Sequence, residues 1–343
     1  MKTVPPAPPN MPASRDRIAD ETDLIQTYLA PLTRGDPGAF GLRDDAALLT
    51  PEPGTDLVFT SDPIVASVHF FPTDSPADIA WKALAVNASD LAAKGARPIA
   101  YMLNLAFPER PSRDWMSAFA EGLRIAQESF GCHLIGGDTD MTPGPLTVGV
   151  TIIGAAPRGK FVRRQGAASG DHVFVTGTLG DSALGLAIHN DPSAFADLSA
   201  DEREFLVRRY LRPEPRLGLT ETLRAHASAA LDVSDGLLKD LARLAGPLGL
   251  VLDFGRIPLS RAASAALMRD AAVVQAVLGG GGDYELLVAV HPAKAASFSR
   301  GADAAGIEVC DLGMLREALP LQVLDDHGTP IEVRQFGYDH FSR

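Results

Sequence analysis

The amino-acid sequence predicts a mixed α/β (α+β) protein built from two domains. Three observations carry this reading. Strand-like and helix-like stretches alternate along the chain, its 343 residues exceed one average domain, and a Gly-, Arg- and Ser-rich stretch divides it near the middle. The expected division is a lead-in over 1–19, a first α/β domain over 20–156 and a second over 157–343.

The lead-in carries five prolines in its first twelve residues and no apolar run of the kind a secretory signal needs, so it reads as disordered or polyproline-like. Residues 57–61 (LVFTS) are a short apolar strand ending at Asp62. The Ala- and Leu-rich stretch 77–95 predicts a helix closed by Gly95, with Pro98 just beyond. Trp115, Phe119, Leu123, Ala126 and Phe130 recur at helical spacing, and Gly131 stands at the expected C-terminal stop. A β-branched strand follows at 146–156, then the linker stretch 157–171 and a strand at 172–177. A helix begins at Asp181, residues 232–245 read as strand end, turn and helix, and four glycines at 279–282 precede the strand YELLVAVH.

The formal charge is −12, which argues against a nucleic acid or an anionic membrane surface as partner. A phosphate substrate would need cations between itself and such a chain. Cys132 and Cys310 show no paired spacing and read as free thiols in a reducing compartment. No apolar run approaches a membrane span, so the expectation is a cytoplasmic protein.

Candidate chemistry lies in dispersed acids: Asp44 and Asp45, Asp62 after Thr60 and Ser61, Asp90 one helical turn from Asn87, Asp138 after Gly136 and Gly137, and Asp232 and Asp235 around Ser234. Each has an ordinary alternative. Asp90 fits a solvated helix face with Lys82 and Lys94, Asp138 fits a helix N-cap, Asp44-Asp45 fits an exposed turn, and Asp235-Gly236 fits a tight turn. Together they fit hard Mg²⁺ ions, which take carboxylate oxygens and substrate phosphates. P-loop, dinucleotide and protein-kinase signatures are absent, as are G-x-S-x-G and HExxH.

The ordered set RDDAALL, FTSDPIVASVHF, KALAVNASDLAAKGARP, LIGGDTD, VTGTLGDSALGL, LDVSDGLLKDL, GGGGDYELL and GYDHF resembles the thiamine-monophosphate kinase family from about residue 20 to the end. That family belongs with aminoimidazole ribonucleotide synthetase and selenophosphate synthetase. The resemblance implies a two-domain fold whose N-terminal domain pairs through its sheet in a homodimer, with ATP in the cleft between domains. It implies that Asp45, Thr60, Ser61, Asp62, Asp90, Asp138, Asp232 and Asp235 hold several Mg²⁺ ions. By the same matching, Gly137, Asp138, Arg164 and Ser234 contact ATP, the co-substrate. His69 matches a position that contacts thiamine monophosphate, and Gly282 and Gln335 match substrate-side positions. Three departures stand out: Arg43 replaces a family glycine, Gly282 a substrate-contacting glutamate, and Gln335 an aromatic residue. Glu285 belongs to the family's own DYEL and is no obvious substitute.

The implied reaction is direct in-line transfer of the ATP γ-phosphoryl group to thiamine monophosphate, with no covalent nucleophile. The alternatives are a sibling enzyme with another acceptor, a metal-dependent phosphohydrolase and a non-catalytic nucleotide-binding dimer. Selenophosphate synthetase is disfavoured, because no cysteine precedes residue 132.

Overall fold

The computed structural model describes residues 16–339 and residue 341, so most of the Pro-rich lead-in lies outside the described residues. From its start the described chain is tied down: Arg17 bridges to Ser112, and Ile18 is buried.

The first half forms a four-stranded sheet in the order β1-β4-β2-β3. Its strands are β1 (Thr55–Val65), β2 (Arg97–Phe107), β3 (Leu134–Met141) and β4 (Thr147–Pro157). β4 is antiparallel to both β1 and β2, and β3 runs parallel to β2. β1 is longer than the apolar run 57–61 predicts, so Asp62 lies inside it, opposite Val150. Pro63 stands inside β1 opposite Gly149, and the edge position leaves only the β4 ladder to tolerate its missing N–H.

After the short α1 (Glu21–Leu24), two long helices cover one face of this sheet: α2 (Pro76–Ala93) and α3 (Arg113–Phe130). In α3, Phe119, Leu123, Ala126 and Phe130 are buried as the spacing predicts. Ser112 caps its first turn by accepting from the Trp115 N–H, and Gly131 ends it in the left-handed region. α2 is buried on nearly every side, which its alanines permit. A Cβ at Gly122 of α3 would stand 2.5 Å from the Ala77 carbonyl oxygen, so this glycine lets the two helices cross closely.

The second half has an all-antiparallel sheet in the order β6-β8-β5-β9. Its strands are β5 (His172–Thr176), β6 (Ala227–Asp232), β8 (Leu286–Val290) and β9 (Val309–Met314). The strands β7 (Leu250–Asp253) and β10 (Leu321–Leu324) form a parallel pair beside it. The helices around it are α4 (Asp181–Asn190), α5 (Ala200–Leu211), α6 (Thr220–His226), α7 (Leu237–Ala245), α8 (Arg261–Leu267), α9 (Val273–Gly279) and α10 (Pro292–Ala304). Among the described residues no helix is long and apolar enough to cross a membrane.

The halves meet where the end of α2 packs on the second sheet. Ala92 and Ala93 share an apolar cluster with Phe174, Ala230, Leu286 and Val288. Lys94 Nζ donates to the Ala230 carbonyl at 2.8 Å, and the Val162 N–H donates to the Lys94 carbonyl at 3.1 Å. The stretch after β4 is therefore pinned across this junction.

Candidate active site

Three acids from three elements converge at the junction: Asp62 on β1, Asp90 on α2 and Asp232 at the end of β6. Strand alternation turns Thr60 and Asp62 toward α2, where Thr60 Oγ1 donates to Asp90 Oδ2 at 2.6 Å. Asn87, one turn before Asp90, accepts from the Asp62 N–H at 2.9 Å and donates to the Asp62 carbonyl at 3.2 Å. Its amide thus supplies the pairing that an edge strand lacks, and fixes Asp62. Ser89 Oγ donates to Asp232 Oδ2 at 2.7 Å, which ties α2 to the second sheet.

The charges of this group oppose one another. Burial, with the charge on Asp90, pushes the Asp232 carboxyl up to about 7. Asp62 is open to the cleft by surface area, yet the protein around its carboxyl and the nearby Asp90 push it up to about 6. Lys94 faces Asp232 and Asp90, but burial lowers its own affinity for a proton. Among the described residues no three His, Cys, Asp or Glu side chains form a finished metal cage. What the junction offers is an open set of mutually repelling carboxylates with the Thr60 and Ser234 hydroxyls beside it. Such a donor set fits a hard cation that keeps waters and shares its charge with a bound phosphate.

Two cavities open onto these acids. The larger, about 550 Å³, is lined by Asp62, Asp90 and Asp232 together with Lys94, Arg163, Arg164 and Arg243, and by Phe161 and Gln165. The smaller, about 300 Å³, shares Asp62, Asp90, Asp232 and Ser234, and adds His69, Asp235, Tyr284 and Tyr338. His69 Nδ1 accepts from the Val65 N–H at 3.0 Å, so in the neutral ring Nε2 carries the proton.

The turn between β6 and α7 is shaped by Asp240, whose Oδ2 accepts from the N–H groups of Ser234, Asp235 and Gly236 at 3.1, 2.9 and 3.2 Å. Arg243 and Lys239 pair with Asp235 at 2.8 and 3.0 Å. The C-terminal segment docks on the same turn: the Tyr338 N–H donates to the Asp235 carbonyl at 2.8 Å, and Lys239 Nζ donates to the Tyr338 carbonyl. The motifs VSDGLLKD and GYD, a hundred residues apart, are thus one local structure.

Not every candidate residue reaches this junction. Ser61 points to the opposite sheet face, where its hydroxyl hydrogen-bonds Thr151 at 2.7 Å. Asp45, Gly137 and Asp138 line a separate cavity of about 180 Å³. Asp138 stands in register with Asn104, Asn104 with Gly149, and Gly149 with Pro63. That row spans four strands, about 14 Å at the usual spacing, and lies on the face opposite Asp62. Gly137 is explained by the fold itself: its φ is +149°, and a Cβ there would stand 1.8 Å from the Leu103 carbonyl oxygen.

Arg43 donates to Gln26 rather than to the neighbouring acids. Gly282 borders neither cavity; its φ is +90°, and a Cβ would meet Ser182 Oγ at 2.7 Å. Gln335 is exposed and borders neither, whereas Tyr338 lines the smaller one. Glu285 is fully buried between Arg209, at 2.8 Å, and Arg216, and has no access to either cavity. The solvated helix face offered as an alternative for Asp90 is also absent: Lys82 is 6 % exposed and Lys94 is half-buried. Residues that sequence reasoning passed over are Ser89, Asp240, Arg243, Tyr284 and Tyr338. Ser89, Asp240, Tyr284 and Tyr338 sat inside motifs already marked, and Arg243 two residues beyond one; their spacing from the acids was the available signal.

Comparison with known proteins gives consistent results. A model of the AIR synthase related protein N-terminal domain family matches residues 43–156. The thiamine-monophosphate kinase of Caulobacter vibrioides is 43 % identical over 298 residues, covering 85 % of this chain and 83 % of that one. The crystal structure of thiamine-monophosphate kinase from Stenotrophomonas maltophilia K279a is 38 % identical with a TM-score of 0.75, covering 84 % of this chain and 90 % of that one. A further structure, AaThiL complexed with AMPPCP and TMP, is 27 % identical with a TM-score of 0.72, covering 84 % of this chain and 89 % of that one.

Proposed function

This chain belongs to the thiamine-monophosphate kinase family, and on that premise we propose that it transfers the γ-phosphoryl group of ATP to the phosphate of thiamine monophosphate, giving thiamine diphosphate and ADP. The observation that carries the proposal is the pair of cavities that share Asp62, Asp90, Asp232 and Ser234. A donor in one and an acceptor in the other would present their phosphates to a common point. The similarity to a protein complexed with AMPPCP and TMP supports the same pair of ligands.

In this reading the larger cavity takes ATP. Lys94, Arg163, Arg164 and Arg243 face its phosphates, and Phe161 offers an aromatic surface in its lining. His69, Tyr284 and Tyr338 bound the acceptor. An acceptor phosphate oxygen attacks the γ-phosphorus in line, the bond from that phosphorus to the β,γ-bridging oxygen breaks, and ADP leaves with the electron pair. The acceptor is ionised at neutral pH, so no general base is required. The residues instead position two anions and neutralise their charge. Asp62, Asp90 and Asp232, with the Thr60 and Ser234 hydroxyls, would hold Mg²⁺, which when bound offsets the charge of the phosphates.

Asp45, Gly137 and Asp138 stand too far from this point to serve it within one chain. We assign them to the cleft of a second copy. The sheet face that carries Asp138 also exposes Phe59 and Met102, at 61 % and 38 %, as an apolar surface suited to pairing in a homodimer.

The test is direct. The protein is incubated with ATP, Mg²⁺ and thiamine monophosphate, and thiamine diphosphate is quantified. Stoichiometric formation of ADP and thiamine diphosphate is expected. ATP consumption indifferent to this acceptor would refute the acceptor assignment and leave the donor site standing.

A further inference from the structure

Behind the acceptor cavity lies a lysine that the reaction as described does not use. Lys82, on α2, is 6 % exposed. Its Nζ donates to the His69 carbonyl at 3.2 Å and sits 3.5 Å above the centroid of the Tyr210 ring on α5. Asp74 and Asp78 face it, but each is engaged by another side chain: Asp74 by His189 of α4 at 2.6 Å, and Asp78 by Arg212, which follows α5. A buried ammonium whose contacts are a carbonyl and a ring face is unfavourable for stability alone, where a methionine would fill the same space. The carbonyl contact is what the charge accomplishes.

That carbonyl belongs to a tight bend. The His69 N–H donates to the Val65 carbonyl at 2.9 Å, and the Ser67 N–H donates to the Phe70 carbonyl at 2.8 Å. Ser67 has a φ of +65°, so the bend is held in a conformation a non-glycine residue rarely adopts. Phe71, at the end of the bend, packs edge-on against His189 and Tyr210 with ring centroids 5.1 and 6.4 Å apart. Lys82 therefore joins the bend that carries His69 to the half of the molecule that supplies Asp235, Tyr284 and Tyr338.

We propose that Lys82 is a positioning residue for the acceptor: through the His69 carbonyl and the Tyr210 ring it holds the 65–71 bend, and with it the His69 imidazole, against the smaller cavity. The proposal rests on the reading of that cavity as the acceptor site.

The test is steady-state kinetics of Lys82→Met, His69→Ala and the double variant, each with a melting curve. For Lys82→Met, the KM for thiamine monophosphate should rise about tenfold, the size expected for loss of a hydrogen bond from a charged donor. kcat and the KM for ATP should stay within about twofold. Tm should not fall, because removing a buried charge relieves desolvation. The double variant should be no worse than His69→Ala, since both act through one imidazole.

A pH series adds a readout that a merely structural role would not move. Burial pushes Lys82 down to about 7 against the opposing pull of Asp74 and Asp78. His69, His189, Tyr210 and Arg212 are the other titratable or charged groups around it. The variant-to-wild-type ratio of KM for the acceptor should therefore be largest near pH 6 and shrink toward pH 9. An unchanged acceptor KM in Lys82→Met, a rise in both KM values together with a lower Tm, or additive effects in the double variant would each overturn the proposal. Failure of the acceptor reading itself would be visible first in the unmodified protein, as absence of thiamine diphosphate.

Discussion

Replacing Asp232 by Asn separates what this acid does to the fold from what it does for the chemistry. Asp232 is 9 % exposed, accepts from Ser89 Oγ at 2.7 Å, and is pushed up to about 7 by burial and by Asp90. Its unfolded value is near 4, so between the two the folded chain binds the extra proton, and stability falls as pH rises through that interval. Three pH units at about 1.4 kcal/mol each amount to roughly 4 kcal/mol. Asp62 and Asp90 share the same repulsion, so removal of one charge should restore about half of that, about 2 kcal/mol. Asn keeps an oxygen for Ser89 and gains an amide that can donate to Asp90. For a chain of this length the unfolding entropy is about 0.7 kcal/mol/K, so the gain in Tm is about 3 °C. The assay is a melting curve in a chelating buffer at pH 8, pH 6 and pH 4.5, paired with turnover in Mg²⁺. The Tm advantage should shrink as pH falls below 7 and be nearly gone at the lowest value, while turnover drops by orders of magnitude throughout. A lower Tm at pH 8, or an advantage of equal size at pH 4.5, would refute the reasoning that burial and mutual repulsion govern this acid.

The remaining predictions follow from separation and burial. Asp90→Asn and Asp138→Asn should each lose turnover by orders of magnitude; when the two inactive proteins are dissociated and reassociated in equal amounts, about a quarter of wild-type activity should return, as random pairing in a twofold dimer dictates. No recovery on mixing, with heterodimer formation verified, would place Asp138 at the cleft of its own chain. Glu285→Gln leaves Arg209 and Arg216 without their buried partner and should cost about 3 kcal/mol, read as a shift in the denaturant midpoint, with the KM for ATP unchanged in the folded fraction. A stability loss below measurement error would show that these arginines find other acceptors.

What the sequence made legible tracks how local each cause is. α3 could be read to its ends, because an amphipathic period, a serine cap and a terminal glycine all lie within its own residues. α2 was legible as a helix but not as a buried one, since alanine on every side carries no period, and this is why Asp90 with Lys82 and Lys94 passed as a solvated face. The reach of β1 was understated because the apolar run ends before Asp62, whereas the pairing with β4 that carries the strand on to Val65 leaves no local signal. The same error hid the division between Ser61 and Asp62: once both lie inside a strand, alternation places them on opposite faces.

The candidate site shows a second limit, one of topology. The acids at Asp62, Asp90 and Asp232 converge because β1, α2 and β6 are packed together. Asp138 misses them because β4 and β2 stand between β3 and β1, an order that no local motif encodes. The ordered acidic motifs thus combine two spatial sets. One converges within the chain. The other lies on the opposite sheet face, which exposes Phe59 and Met102; there close backbone packing accounts for Gly137, whereas Asp138 is left facing the outer cavity. If both sets serve one reaction, pairing of two copies is a condition for activity, and dilution below the dimer dissociation constant should abolish turnover without unfolding either half.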